Sequence, residues 1–68
     1  MRYNLRTGDR VTVTDHAADG KKRTECIVRI LNKDTAVVFV PRYNAEITFN
    51  RSSMMTDNGR MEITSVDR

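Results

Sequence analysis

Tryptophan is absent from this 68-residue sequence, and cysteine, histidine and proline occur once each. A single cysteine, Cys26, excludes an intrachain disulfide, and with His16 as the sole imidazole no thiolate–imidazole cluster of the zinc-binding kind can be assembled. Long hydrophobic runs are missing too. The longest, Ala36-Val37-Val38-Phe39-Val40, falls far short of the roughly 20 apolar residues that a membrane-spanning helix needs. The opening Met1-Arg2-Tyr3-Asn4 does not lead into a signal-peptide hydrophobic region, so a soluble protein of the cytoplasm is expected. Nor does any window place apolar residues at i, i+3, i+4 and i+7 between capping residues, which leaves room for one helical turn at most.

Catalytic signatures are equally scarce. The chain has no glycine-rich phosphate loop opening a helix, no HExxH, no CxxC and no G-x-S-x-G elbow. Asp15 beside His16 is the one local acid–base pair, and adjacent residues of a strand point to opposite faces, which argues against their working together. Cys26, set among Ile and Val, reads as a small core residue rather than a reactive thiol. A single domain spanning 1–68 devotes nearly all its apolar residues to its own core, leaving none to build a buried catalytic pocket. A non-catalytic binding module without metal or cofactor is therefore expected.

What is present is strand patterning. Five stretches, roughly 10–15, 24–32, 36–41, 46–52 and 60–66, alternate or run apolar in strand fashion with turn residues between them. After the Gly8-Asp9 turn, Val11 and Val13 share one face while Arg10, Thr12 and Thr14 share the other. Asp19-Gly20 supplies a hairpin turn. In the second stretch Ile27, Val28, Ile30 and Leu31 break the two-residue period, which predicts a bulge near Ile30 with Cys26, Val28 and Leu31 inward. The run ending in Val40 is short enough to be a strand covered on both sides, and Pro41 stops it. Ile47 and Phe49 alternate with Glu46, Thr48 and Asn50, and Asp57-Asn58-Gly59 is a second hairpin signal before Met61 and Ile63. The sum is an all-β fold: one small five-stranded antiparallel barrel. Either barrel closure or formation of a homodimer would remove the unpaired edges of so small a sheet.

The net charge of +3 resides in the first half, where eight basic side chains outnumber five acidic ones, against four of each in residues 35–68. Lys21, Lys22 and Arg23 form a run at the first hairpin tip, and Arg10, Arg29, Arg42 and Arg51 project from strand faces or ends. Lys21, Lys22, Arg23, Arg29 and Arg42 could follow a phosphate backbone, with Tyr43 offering a ring for base stacking. Equally, such charges keep a small sheet protein soluble and protect its edges, and Tyr43 could simply anchor a loop. The alternative partner is a protein, gripped by an added edge strand or by a patch containing Ile27, Arg51, Met54 and Met55, methionine being an adaptable contact residue as well as a core filler.

The opening Leu5-Arg6-Thr7-Gly8-Asp9-Arg10-Val11-Thr12-Val13, the loop at Asp19-Gly20, the strand around Cys26 to Leu31, then Ala36 to Val40 and Ile47-Thr48-Phe49-Asn50-Arg51 resemble the strand order of small SH3-like barrels. In particular the chain resembles short β-barrel proteins encoded by bacteriophages and other mobile elements. That resemblance implies an SH3-like barrel, in a class whose members bind nucleic acid or protein, and whose phage representatives can act on a host protein in the host cytoplasm. An oligonucleotide-binding barrel is the close alternative, but it normally carries a helix between its third and fourth strands, where this chain has only a short connection.

Overall fold

The computed structural model describes residues 4–17 and 22–67. The alternation of Val and Thr dictates β1 (Arg10–Asp15), in which Val11 and Val13 are wholly buried, because β-branched side chains pack well on a pleated surface. The turn before it is closed by Gly8 at φ +90°, with Asp9 N–H donating to the Arg6 carbonyl and the Asp9 carboxylate accepting from Arg6 N–H.

In β2 (Lys22–Leu31) the ladder to β3 (Thr35–Val40) shifts register between Val28 and Ile30. This is the bulge that the broken period predicts. It inserts Arg29 as an extra residue, so that Cys26 and Val28 point inward and Leu31 still packs against the core, while Ile27 and Ile30 stay outside at 38% and 50% exposure. Ala36, Val38 and Val40 of β3 are fully buried, whereas Val37 and Phe39 on its other face are only half covered. The expectation of a strand buried on both sides thus holds for one face. Pro41 then opens a single 3-10 turn, Pro41–Tyr43, which ends at Asn44 in the left-handed conformation with its N–H bonded to the Pro41 carbonyl. Two further strands follow, β4 (Ala45–Asn50) and β5 (Met61–Asp67). The two expected boundaries that move furthest are the start of β2, two residues earlier, and the end of β4, at Asn50 rather than Ser52; the others move by one residue or not at all.

All four ladders are antiparallel and form one sheet in the order β4-β3-β2-β1-β5, a four-strand meander with the last strand returned beside the first. No ladder joins β4 to β5 among the described residues, so strand pairing does not close the sheet. The segment 51–60 occupies that seam instead. Asn50 N–H donates to the Met55 carbonyl, Met54 N–H to the Asn50 carbonyl, and Ile63 N–H to the Met54 carbonyl, stitching the end of β4 to β5 through an intervening piece of chain. Met54 adopts φ +62° to do so, a conformation that costs a side chain roughly 1–3 kcal/mol and persists only where the surroundings enforce it. Here three backbone hydrogen bonds and burial of the Met54 side chain enforce it. The Asp57-Asn58-Gly59 signal corresponds to a tight hairpin: Thr56 N–H donates to the Met61 carbonyl, and Gly59 takes φ +70°. No helix among the described residues is long and apolar enough to cross a membrane.

Among the described residues the core comprises twelve buried apolar side chains, ten drawn from the five strands and the other two Leu5 and Met54. Its largest fully buried member, Phe49, stands in register with Ala36, a large side chain filling the space that a small one leaves. Truncation Phe49→Ala is expected to cost about 3–5 kcal/mol, a large fraction of the stability available to a domain of this size, and urea denaturation of the two proteins measures it.

Candidate nucleic-acid interface

One face of the β2-β1-β5 portion is polar and concave. Thr12, Thr14, His16, Lys22, Arg23, Thr64 and Ser65 line a cleft of about 1050 Å³. The registers explain the grouping: Thr14 lies opposite Arg23, and Thr12 opposite Ser65, so their side chains share the face that Val11 and Val13 do not use. A register shift in the β1–β5 ladder between Thr12 and Val13 leaves Thr64 as the additional residue of β5. Thr64 Oγ1 donates to the Thr12 carbonyl at 3.3 Å, which makes Thr14 the donor in the 3.0 Å contact between the two hydroxyls. His16 borders the cleft, its Nε2 lying 2.9 Å from Glu62 Oε1. Lys22 and Arg23 are exposed, and neither forms an ion pair among the described residues.

A buried carboxylate closes β1 on the face turned away from the cleft lining. Asp15 is the inward residue after Val11 and Val13 and is only 5% exposed. It accepts hydrogen bonds from the Tyr43 hydroxyl at 2.7 Å, from Ala17 N–H at 3.0 Å and from Arg60 Nε at 3.4 Å. The Tyr43 hydrogen bond above all, then Ala17 and Arg60, hold its carboxyl below the usual range against the opposing effect of desolvation. Asp15 and His16 therefore face separate partners, as their adjacency implies.

The sequence-predicted basic set is divided by the fold. Lys22 and Arg23 lie together on the cleft, and Lys21 falls outside the described residues. Arg29 lies six residues along β2 from Arg23, about 20 Å away at strand spacing, where its guanidinium stands 5.1 Å from the centre of the Phe39 ring. Arg42 and Tyr43 sit on the 3-10 turn, both exposed. Tyr43 joins Ile47, Thr48, Arg60 and Met61 around a second, smaller groove of about 520 Å³. Its hydroxyl anchors it to Asp15 while the residue as a whole remains 43% exposed, so anchoring the loop does not bury it.

Of the residues considered for a protein contact, Ile27 is on the surface. Arg51 donates to the Asn32 carbonyl at 2.7 Å and braces the β2–β3 turn. Met54 is in the core and Met55 half-buried; Met54 is thus unavailable to a partner because its positive φ turns the side chain beneath the seam. Cys26 is buried, and burial pushes its thiol up to about 11. No group of three or more metal-ligating side chains occurs among the described residues.

Sequence reasoning missed the hydroxyl residues Thr12, Thr14, Thr64 and Ser65 as cleft components and Arg60 as a partner of Asp15. The alternation Val-Thr-Val-Thr does reveal that Thr12 and Thr14 share a face; the contribution of Thr64 depends on a bulge that β5 shows no sign of in its own pattern. No protein-family model matches the chain, and neither any curated protein nor any solved structure does.

Tyr43→Phe removes the strongest donor to Asp15. A carboxylate whose folded pKa is depressed stabilises the fold above its unfolded pKa and loses that contribution as pH falls through the folded value. The variant is therefore expected to have a lower urea midpoint than the parent at neutral pH, with the gap closing under acid conditions; urea titrations across that range measure it.

Proposed function

We propose that this chain is a non-catalytic binding module that contacts nucleic acid through the cleft lined by Lys22 and Arg23. The observation that carries the reading is the composition of that cleft: two cations without ion-pair partners among the described residues, beside the hydroxyls of Thr12 and Ser65 and the imidazole of His16. Cations supply the sequence-independent attraction to phosphate, and hydroxyls supply the hydrogen bonds that fix a backbone in place. Lys21 extends the cationic run in sequence. Tyr43, which shares Asp15 as a neighbour with Lys22, offers the ring on which an unpaired base could stack. The strand order supports an SH3-like reading of the sheet, with the barrel seam filled by the segment 51–60.

A second reading, a phage-type module that binds a host protein, is favoured by the exposure of Ile27 and Ile30 on the outer face of β2. Apolar side chains of that size gathered on a sheet suit a protein contact better than a phosphate backbone.

Fluorescence anisotropy with labelled single-stranded and duplex DNA and RNA at several salt concentrations tests the first reading. Binding is expected to weaken steeply with salt. Lys22→Ala together with Arg23→Ala should weaken it and flatten the salt slope by about 0.7–0.9 for each phosphate contact removed. Arg29→Ala, remote from the cleft, should leave the slope unchanged. Absence of binding at low salt overturns the assignment and directs attention to a protein target.

A further inference from the structure

The ladder registers align one side chain from each strand into a single row across the outer face: Asp67, Arg10, Ile27, Phe39 and Glu46, on β5, β1, β2, β3 and β4 in turn. A second row, offset along the strands, carries Ile30, Val37 and Thr48. Ile27 and Ile30 are exposed and Phe39 and Val37 half-buried, so the two rows form an apolar strip two strands wide. Its borders carry opposite charge: Arg10 on one side and Glu46 on the other, both exposed and, among the described residues, neither in an ion pair. Three strand spacings separate them, about 14 Å.

A strip of this kind is complementary to itself. Rotation by a half-turn about an axis lying in the contact plane and parallel to the strands exchanges its two borders. Arg10 of each copy then meets Glu46 of the other, Ile27 meets Phe39, and Ile30 meets Val37. Isologous contacts require this sort of self-complementarity, in which residue i meets j and j meets i, and two sheets stacked face to face interlock side chains across about 10 Å. Rotation about the perpendicular in-plane axis would set Arg10 against Arg10 and Glu46 against Glu46, so charge selects the first arrangement. Asp67 continues the row beyond Arg10 and falls outside the overlap. Arg29, which roofs the Phe39 ring in the single copy, carries an aliphatic stem that joins the apolar surface once its head turns to the rim.

We propose that the face bearing Ile27, Ile30, Val37 and Phe39 is an interface with a second copy of this chain, paired by a two-fold axis parallel to the strands and keyed by reciprocal Arg10–Glu46 contacts. The pairing does not depend on nucleic-acid binding and is measured in its absence.

Sedimentation equilibrium of the purified full chain, from low micromolar to near-millimolar concentration, is expected to show the mass rise from one copy to two. Arg10→Glu and Glu46→Arg, each alone, should raise the dimer dissociation constant at least about tenfold by opposing like charges, and the two combined should bring it back to within about threefold of the parent. Ile30→Asp should abolish pairing, with circular dichroism verifying that each variant is folded. A mass of one copy at every concentration overturns the proposal and assigns the strip to a different partner. Dimerisation that the single charge reversals leave unaltered, or that the double reversal fails to recover, overturns the two-fold arrangement.

Discussion

The hydrogen-bonded carboxylate of Asp15 is the constraint on which much of this small sheet depends. It lies at the inward end of β1, where alternation demands a buried side chain, and it is met by a hydroxyl from the 3-10 turn after β3 and a guanidinium from the residue before β5. Three parts of the chain remote from one another in sequence are thereby drawn to one end of the molecule. Those two donors and the Ala17 N–H offset the desolvation that burial imposes, and removing any one would leave a buried charge short of partners. Asp15 also specifies pairing. A slip of one residue along β1 would turn Val11 and Val13 to water and Asp15 away from both Tyr43 and Arg60, so polar and apolar requirements fix the same register.

From that end the architecture spreads in two directions. Toward β5, the bulge at Thr64 turns a threonine against the Thr14 hydroxyl and the Thr12 carbonyl and shapes the cleft that Lys22 and Arg23 overlook. Along β2, the character of the outward residues changes from Arg23 and Glu25 to Ile27 and, beyond the bulge, Ile30. A single long strand thus carries a polar surface at one end and an apolar one at the other. The two proposed binding surfaces thus lie on one face of one sheet.

Much of the fold was legible in the sequence because the strands follow simple rules. Val11 and Val13 alternate with threonine, Ile47 and Phe49 with polar residues, and Pro41 stops β3 for want of an amide donor. Even the β2 bulge was legible, since Ile27, Val28, Ile30 and Leu31 cannot all be reconciled with a period of two. The seam was not. Its key residue, Met54, takes a left-handed conformation that ordinarily signals glycine, so its burial had no local cue. The candidate site was legible only in part: a run of Lys21, Lys22 and Arg23 announces charge, but Arg29 belongs to another region and the cleft hydroxyls look like any solvent-facing threonine. The Tyr43–Asp15 contact spans 28 residues, and contacts made by tertiary folding at that separation leave no imprint on local pattern.

Cys26 is fully enclosed opposite Val11, in the ladder that joins β1 to β2. Enclosure withholds the thiol from reagents, and the upward shift of its ionisation keeps it from the nucleophilic thiolate form at neutral pH. The chain consequently contains its own clock. Chemical capture of this sulfur requires the core packed over the central strand to open, so the rate of capture reports how often that core opens, without any label having been introduced into it.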